Sequence, residues 1–210
     1  MSRSTPPVLY QIASLLLRYP TATLLAADPE ITAAVAELPG QDARAQLGRF
    51  LAHRRTMPLI DLEREYVETF DTRRRCTLNI SYYLYGDTRR RGVSLLRLKR
   101  LYAAAGLVLE SDELPDHLPA MLEFAAFAPS GYGERVLQEH RIGIELLRLA
   151  LRADQRPHQD VVDAVCSTLP RLGLRESDAI RRLVAEGPPD EQVGLEPFAP
   201  PEVMPTEVRV

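Results

Sequence analysis

The sequence predicts an all-α protein, a single-domain helical bundle of about eight helices with a disordered, proline-rich acidic tail at its C-terminus. Apolar residues recur with helical spacing along most of the chain, whereas the alternation typical of β-strands is nearly absent. Prolines and glycines separate the periodic stretches. The length of 210 residues permits one domain or at most two small ones. A chain of this length can bury enough surface to fold without a disulfide or a metal ion.

Prolines set the expected helix boundaries in the first part of the chain. They delimit a first helix, which Pro6 and Pro7 open and Pro20 ends, followed by helices at about 28–38, 41–54 and 58–70. The last of these begins at Pro58, a residue well suited to a first helical turn. One face of that helix is expected to form an apolar stripe of Leu59, Leu62, Tyr66 and Phe70.

The second part of the chain begins with an irregular, tyrosine-rich stretch, residues 71–86. Helices are then expected at about 88–105, 115–128, 132–153, 158–169 and 176–185. The helix at 132–153 is apolar on two faces, which is typical of a helix at the centre of a bundle. His140 lies on one of its apolar stripes and is interpreted as a core residue, whereas His53 and His158 lie in polar stretches and are expected at the surface.

The composition changes after residue 185. Residues 186–210 hold six of the 17 prolines, six acidic residues and one arginine, and such a segment cannot bury enough apolar area to order itself. We therefore expect a helical domain over residues 1–185 and a flexible acidic tail over residues 186–210. The whole chain carries a net charge of −3 and the tail carries −5, which leaves +2 for the helical domain.

Charge and missing motifs exclude several classes of protein. The balanced charge argues against a bulk nucleic-acid binder, and Cys76 and Cys166 are too far apart in sequence for a local zinc site. The sequence has no glycine-rich phosphate loop, no GxSxG motif and no HExxH motif, so we expect neither catalytic nor metal-binding residues. The apolar stretch at residues 8–17 is about half the length of a bilayer-spanning helix and lacks a cleavage signal, so we expect a cytoplasmic protein without a membrane segment.

Aromatic residues are concentrated in two neighbouring segments, residues 63–71 and 79–87, which hold four of the eight tyrosines. A tyrosine offers a large apolar face and one hydroxyl group, which suits recognition of a peptide or a small ligand. Tyr66, Phe70 and Tyr82 are therefore candidate binding residues. The alternative interpretation is that these rings fill the bundle where a loop crosses it.

A second segment, residues 113–124, mixes acidic and apolar residues. If it is helical throughout, Asp116, Ala120, Glu123 and Phe127 lie together on the face opposite to the core. Two carboxylates beside an aromatic ring suit a partner helix that carries an arginine next to an apolar patch. The alternative is an ordinary solvated face with one exposed phenylalanine.

In these segments the sequence resembles a known family. The motifs are YVETFD at residues 66–71, YYLYGDTRRRG at 82–92, ELPDHLP at 113–119 and LEF at 122–124. They resemble the NarJ-type redox-enzyme maturation chaperones, the assembly chaperones (delta subunits) of respiratory nitrate reductase. The similarity in motif order and helical spacing extends over about residues 7–185.

The resemblance implies an all-α cytoplasmic chaperone that is not an enzyme. Its expected partner is the N-terminal segment of the catalytic alpha subunit of nitrate reductase, and it would assist insertion of the molybdenum cofactor without binding a cofactor stably or remaining in the finished enzyme. It would bind no nucleic acid and would be a monomer or a weak homodimer. By matched position, the residues implied for peptide contact or for shaping the groove are Tyr66, Phe70, Asp116, His117 and Glu123, to which the aromatic pattern adds Tyr82 and Phe127.

Two alternatives from other classes remain at this stage. One is a small helical protein that binds a metal ion or a cofactor through Asp116, His117 and Glu123, although His117 would point about 100° away from Asp116 on a helix. The other is a nucleic-acid-binding regulator that uses the arginines at 73–75 and 89–91. The small positive charge of the helical domain argues against it.

Overall fold

A computed structural model of the protein describes residues 5–109, 113–129 and 131–189. These residues form helices and no β-strand, apart from one isolated antiparallel bridge between Asn79 and His117. The α-helices are α1 (Thr5–Leu16), α2 (Ala22–Ala26), α3 (Asp28–Ala36), α4 (Gln41–Arg55), α5 (Leu59–Tyr66), α6 (Tyr82–Tyr85), α7 (Arg89–Ala104), α8 (Leu118–Phe127), α9 (Tyr132–Glu139), α10 (Arg141–Ala153), α11 (Gln159–Thr168) and α12 (Leu174–Glu186). The predicted all-α single-domain fold is confirmed. The described part has more helices than the eight expected, because short helices such as α2 and α6 were not predicted.

The centre of the core is the packing of α1 against α8 and α11. On α1 the residues Leu9, Ile12, Ala13 and Leu16 follow helical spacing and are all buried. Two polar contacts fix the helix in place. The Ser14 hydroxyl donates to the Pro119 carbonyl at 2.8 Å, and the hydroxyls of Tyr10 and Thr168 are 2.9 Å apart. The first contact holds α8, the helix that carries most of the candidate site, and the second holds α11.

Two glycines allow backbones to approach closely behind this site. A Cβ atom built on Gly133 would lie 2.5 Å from the Cα of Ala125, so α9 and α8 can cross at this distance only with glycine there. A Cβ atom built on Gly143 would lie 2.6 Å from the carbonyl oxygen of Ile80. Helix α10 thereby supports residues 78–81, a segment that contacts the start of α8.

The helix expected at 132–153 is two helices, α9 and α10, which meet at His140. The backbone of His140 has φ −104° and ψ 12°, which interrupts the helix. Its Nδ1 atom lies 2.9 Å from the Val136 carbonyl oxygen, and the side chain is buried, so the interpretation as a core histidine is confirmed. Burial lowers the pKa of His140, which favours the neutral ring.

The surface position predicted for His158 is wrong. The ring is buried between Phe50 and Phe70, with centroid distances of 4.9 and 4.8 Å. Burial first, and then the positive charges of His53, Arg156 and Arg54, lower the pKa of His158 to about 3. The polar neighbours of His158 in sequence gave no sign of this contact, because Phe50 and Phe70 come from distant parts of the chain.

Helix α12 ends at Glu186, next to the boundary expected at residue 185. The predicted tail, residues 186–210, lies outside the described residues from residue 190 onward. Among the described residues, no helix has the length and apolar character needed to cross a membrane.

Candidate functional site

An open groove of about 560 Å³ lies between the end of α1, α5, α7 and α8. Its lining consists of Arg18, Tyr19, Tyr66, Tyr102, residues 107–109, Glu113, His117, Ala120, Glu123, Phe124 and Phe127. Four of the seven residues predicted for peptide binding are among them, namely Tyr66, His117, Glu123 and Phe127. The structure therefore brings together residues from the two segments that the sequence singled out.

Helix α8 forms one wall of the groove. Pro119 lies in its first turn, where a missing N–H group has no consequence. The core face of α8 buries Met121 and Leu122, while Glu123 and Phe127, one turn apart, point into the groove. The predicted pairing of these two side chains on the exposed face is thus seen in the structure.

Glu123 forms an ion pair with Arg18, which follows α1. The two side chains are 48% and 41% exposed, so solvent screens the pair and its contribution to the free energy of unfolding is small, roughly 0–1 kcal/mol. Each charged group remains accessible to an incoming ligand. A cationic side chain entering the groove can therefore replace Arg18 at Glu123 at little cost in stability.

Two buried tyrosines form the floor of the groove. Tyr66 packs edge-on against Tyr19 with ring centroids 5.3 Å apart, and its hydroxyl donates to the Leu17 carbonyl at 3.3 Å. The ring of Tyr102 stacks on Phe124 at 4.2 Å, and its hydroxyl donates to a backbone carbonyl at 2.7 Å. Burial raises the pKa of both Tyr66 and Tyr102, so the phenols stay neutral and the floor is apolar and uncharged.

The rim of the groove exposes apolar side chains beside carboxylates. Val108 is 81% exposed and Phe127 is 58% exposed. The carboxylates are Glu123 and Glu113, and Glu113 Oε2 lies 3.2 Å from His117 Nδ1. An apolar floor with an exposed aromatic ring and acidic groups at its edge can bind an amphipathic segment that also carries a positive charge.

The predicted exposed position of Asp116 is wrong. Asp116 is fully buried, and its Oδ2 atom accepts hydrogen bonds from the backbone N–H of Ser81 at 3.2 Å and from the Ser81 hydroxyl at 2.6 Å. Arg91 Nη2 lies 3.5 Å from the same oxygen. Asp116 does not share a face with Glu123, because α8 begins only at Leu118 and the helical periodicity does not apply before it.

Asp116 lies at a junction that joins the two candidate segments. The backbone N–H of Ile80 donates to the Asp116 carbonyl at 3.0 Å, and that of Leu118 donates to the Leu78 carbonyl at 2.8 Å. The side-chain bonds of Asp116 to Ser81 lie next to the first of these two backbone bonds. Asp116 therefore positions the start of α8, and with it His117, rather than lining the groove.

Phe70 and Tyr82 lie outside the groove as well. Phe70 is buried against Tyr66 and His158, with both centroid distances at 4.8 Å. Tyr82 is half-buried, and the guanidinium of Arg91 lies over its ring at 5.9 Å. The two aromatic residues border a separate, smaller depression of about 200 Å³. For Phe70, the alternative interpretation as a residue that fills the bundle matches its burial.

Outside the segments that it singled out, sequence reasoning missed six lining residues, namely Arg18, Tyr19, Tyr102, Leu107, Val108 and Leu109. A local signal existed only for the first two, because an arginine and a tyrosine directly follow the apolar first helix. Tyr102 and residues 107–109 lie on either side of Gly106, and only the packing of the chain brings them to α8.

The structure does not support a metal site at Asp116, His117 and Glu123. Asp116 is buried under Ser81, His117 faces Glu113 and Glu123 pairs with Arg18. Within the three described stretches of the chain, no group of three or more histidine, cysteine or acidic residues is arranged to hold a metal ion.

A family profile described as the nitrate reductase delta subunit matches residues 36–162. The chain belongs to the nitrate reductase delta subunit family. The matched region contains all seven residues predicted for peptide binding, whereas Arg18 and Tyr19 lie before it.

Several curated proteins that are similar to this delta subunit homologue have names that refer to nitrate reductase. It is 38% identical over 148 residues to the nitrate reductase molybdenum cofactor assembly chaperone NarJ of Escherichia coli K12, covering 69% of this chain and 61% of that one. A Bacillus subtilis protein named as a NarJ chaperone of the same kind is 29% identical over 177 residues, 84% of this chain and 96% of the relative. The nitrate reductase-like protein NarX of Mycobacterium tuberculosis is 36% identical over 166 residues, but the chain spans only 25% of its length.

The fold is also similar to a crystal structure from Archaeoglobus fulgidus, of a protein described as a candidate redox enzyme maturation protein. The TM-score is 0.60, and the match covers 80% of this chain and 96% of that chain. At 19% identity the similarity supports the all-α fold alone.

Proposed function

We propose that this protein is an assembly chaperone that binds the N-terminal segment of the catalytic alpha subunit of respiratory nitrate reductase in the groove. The names of the Escherichia coli and Bacillus subtilis relatives support the class of client and the role in molybdenum cofactor assembly. The single structural observation that carries the proposal is the exposed Phe127, which lies over an apolar floor beside the Glu123–Arg18 pair.

The geometry favours a short amphipathic helix as the bound form of the segment. Its apolar residues would cover Phe127 and Val108, which are the most exposed apolar side chains at the rim. A lysine or arginine one turn further along would reach Glu123 and replace Arg18 there. The aromatic contact would supply most of the affinity, while the carboxylates would guide the encounter and fix the orientation.

In this role the protein holds its client and carries out no chemistry. It would act in the cytoplasm, keep the catalytic subunit in a form that accepts the molybdenum cofactor, and leave before the enzyme is complete. We expect no stably bound cofactor, because the described lining of the groove has an apolar floor and its arginine, Arg18, is already paired with Glu123.

Co-purification tests the proposal directly. A catalytic subunit with a C-terminal affinity tag should retain this protein, and the same subunit without its N-terminal segment should lose it. Phe127→Ala should reduce retention, whereas Leu174→Ala, which shortens an exposed leucine on α12, should not. Equal retention by the intact and the shortened subunit would contradict the proposal.

A further inference from the structure

Helix α7 presents an exposed face that is both basic and partly apolar. The helix contains six basic residues and no acidic residue. Val93 and Leu96 are 70% and 50% exposed, although both are aliphatic. At 100° per residue they fall on one stripe with Arg89 and Arg100, opposite to the buried Leu98 and Tyr102. Two exposed aliphatic side chains are therefore framed by cations on the solvent face.

Much of this positive charge is not neutralised by the described residues. Within these stretches Arg90, Lys99 and Arg100 form no ion pair, and Arg97 reaches only Glu139 at 3.4 Å. The first turn of α7 carries arginines and no acid, and Thr88 makes no side-chain capping bond. This arrangement opposes the helix dipole, since positive charge at a helix N-terminus is unfavourable. The face thus favours an acidic partner that also carries apolar side chains.

The chain itself supplies such a segment, and it starts beside α7. After α12, the carbonyl oxygen of Pro189 packs against Gly86, where a built Cβ atom would lie only 1.9 Å from it. Gly86 also has a φ of +56°, so both this backbone conformation and the close approach of Pro189 favour glycine at this position. Helix α7 begins at Arg89, three residues later. The described chain therefore ends next to the N-terminal end of the basic helix.

We propose that residues 190–210 dock along the exposed face of α7. They contain five acidic residues and one arginine, a net charge of −4, whereas α7 carries Arg90, Lys99 and Arg100, which form no ion pair with the described residues. Their apolar residues include Val193, Leu195 and Phe198, which can cover Val93 and Leu96. The proposal concerns a surface separate from the peptide-binding groove and does not depend on the proposed function.

The length of the segment is sufficient for this contact. Helix α7 has 16 residues and spans about 24 Å at 1.5 Å per residue. About eight residues of extended chain cover the same distance, and 21 residues follow Pro189 in the sequence. Because the segment is tethered at one end of the helix, its effective concentration is in the millimolar range, so even weak contacts keep it bound.

A tryptophan reporter tests the docking in the full chain. The protein has no tryptophan, so Phe198→Trp introduces a single fluorophore into the proposed docking segment. We expect emission shifted to shorter wavelength and an acrylamide quenching constant about three-fold below that of a free peptide of residues 190–210 with the same change, because apolar side chains would shield the ring. About 0.5 M salt should raise the quenching constant toward the peptide value, since it screens the charge pairs.

Charge reversal makes the test specific. Arg90→Glu with Arg100→Glu should release the reporter, and adding Glu191→Arg with Glu196→Arg should restore the shielding. The matched control is Arg171→Glu with Arg175→Glu, which changes the same charge in the loop before α12 and in the first turn of α12, and should have no effect. A reporter as exposed as the free peptide, or one insensitive to the charge reversal in α7, would overturn the proposal.

Two further outcomes would assign the exposed face of α7 to another occupant. Shielding of the reporter that depends on protein concentration would assign the face to a second copy. Shielding that requires anionic lipid vesicles would assign it to a membrane, and either result also overturns the proposal.

Discussion

Helices α7 and α8, which both contribute residues to the groove, differ sharply in how they are held. Helix α8 buries seven of its ten residues, whereas α7 buries only Leu98 and Tyr102 of its sixteen. Both contribute to the groove, α8 through Glu123 and Phe127 and α7 through Tyr102 near its end. Helix α8 is thus part of the core, whereas α7 is attached at few points. We infer that α8 fixes the position of the binding groups, while α7 can adjust at a low cost in free energy.

Substitutions in the two walls should therefore differ most in their effect on folding. Met121 of α8 is fully buried, so Met121→Ala should lower the free energy of unfolding by roughly 2–5 kcal/mol, because it leaves a cavity in the core. Leu96 of α7 is half exposed, and in a chain that ends at Pro189, where residues 190–210 cannot cover it, Leu96→Ala should change that free energy by less than about 0.5 kcal/mol. Urea denaturation of both variants measures the difference. Equal losses would show that α7 is as firmly packed as α8.

The two acids of the α8 segment allow a sharper comparison. Asp116→Ala should lower the free energy of unfolding by about 1–3 kcal/mol, because it leaves the buried Ser81 donors without an acceptor. Glu123→Ala removes only an exposed ion pair and should change it by less than about 1 kcal/mol. Thermal unfolding of the two variants tests this order. A stable Asp116→Ala protein would contradict the positioning role assigned to this residue.

The free energy of unfolding should also depend on pH, because His158 is buried in the core. The folded-state pKa of His158 is about 3, below the roughly 6.5 of an unfolded histidine, so the unfolded state takes up the proton first. The stabilisation is complete above pH 6.5 and is lost as the pH falls below it, by about 1.4 kcal/mol per unit.

Denaturation between pH 7.5 and 5.5 measures this slope. His158→Phe keeps an aromatic ring between Phe50 and Phe70 and removes the titrating group, so its slope should be lower by the contribution of one proton. The comparison uses slopes, so a change in overall stability caused by the new ring does not affect it. Identical slopes in the two proteins would contradict the low pKa of His158.

The sequence predicted those features that depend on local spacing. The turn from Glu123 to Phe127 keeps both on the groove side of α8, and Leu62, Tyr66 and Phe70 of the apolar stripe are buried as expected. Asp116 was placed wrongly because the backbone of His117 is extended, with φ −66° and ψ 122°, and the helix starts after it. Helical periodicity does not predict the positions of residues such as Asp116 that precede the first residue of the helix.

The remaining errors concern contacts between distant parts of the chain. Arg18 reaches Glu123 only because α1 packs along α8, and no pattern near either residue indicates that packing. His158 lies in a polar stretch, yet Phe50 and Phe70 enclose it. Spacing within one helix predicts which residues share a face, but it does not predict which face of another helix they meet.

The central claim is that Phe127 and Glu123 on the fixed wall bind the N-terminal segment of the catalytic subunit. Calorimetric titration of the full chain with a peptide of that segment tests it most directly, with Leu174→Ala as the control for an exposed apolar residue outside the groove. We predict that the unaltered protein and Leu174→Ala bind with equal affinity, and that Phe127→Ala binds at least about ten-fold more weakly, a loss of about 1.4 kcal/mol. Absence of binding to the unaltered protein, or unchanged affinity in Phe127→Ala, would contradict the claim.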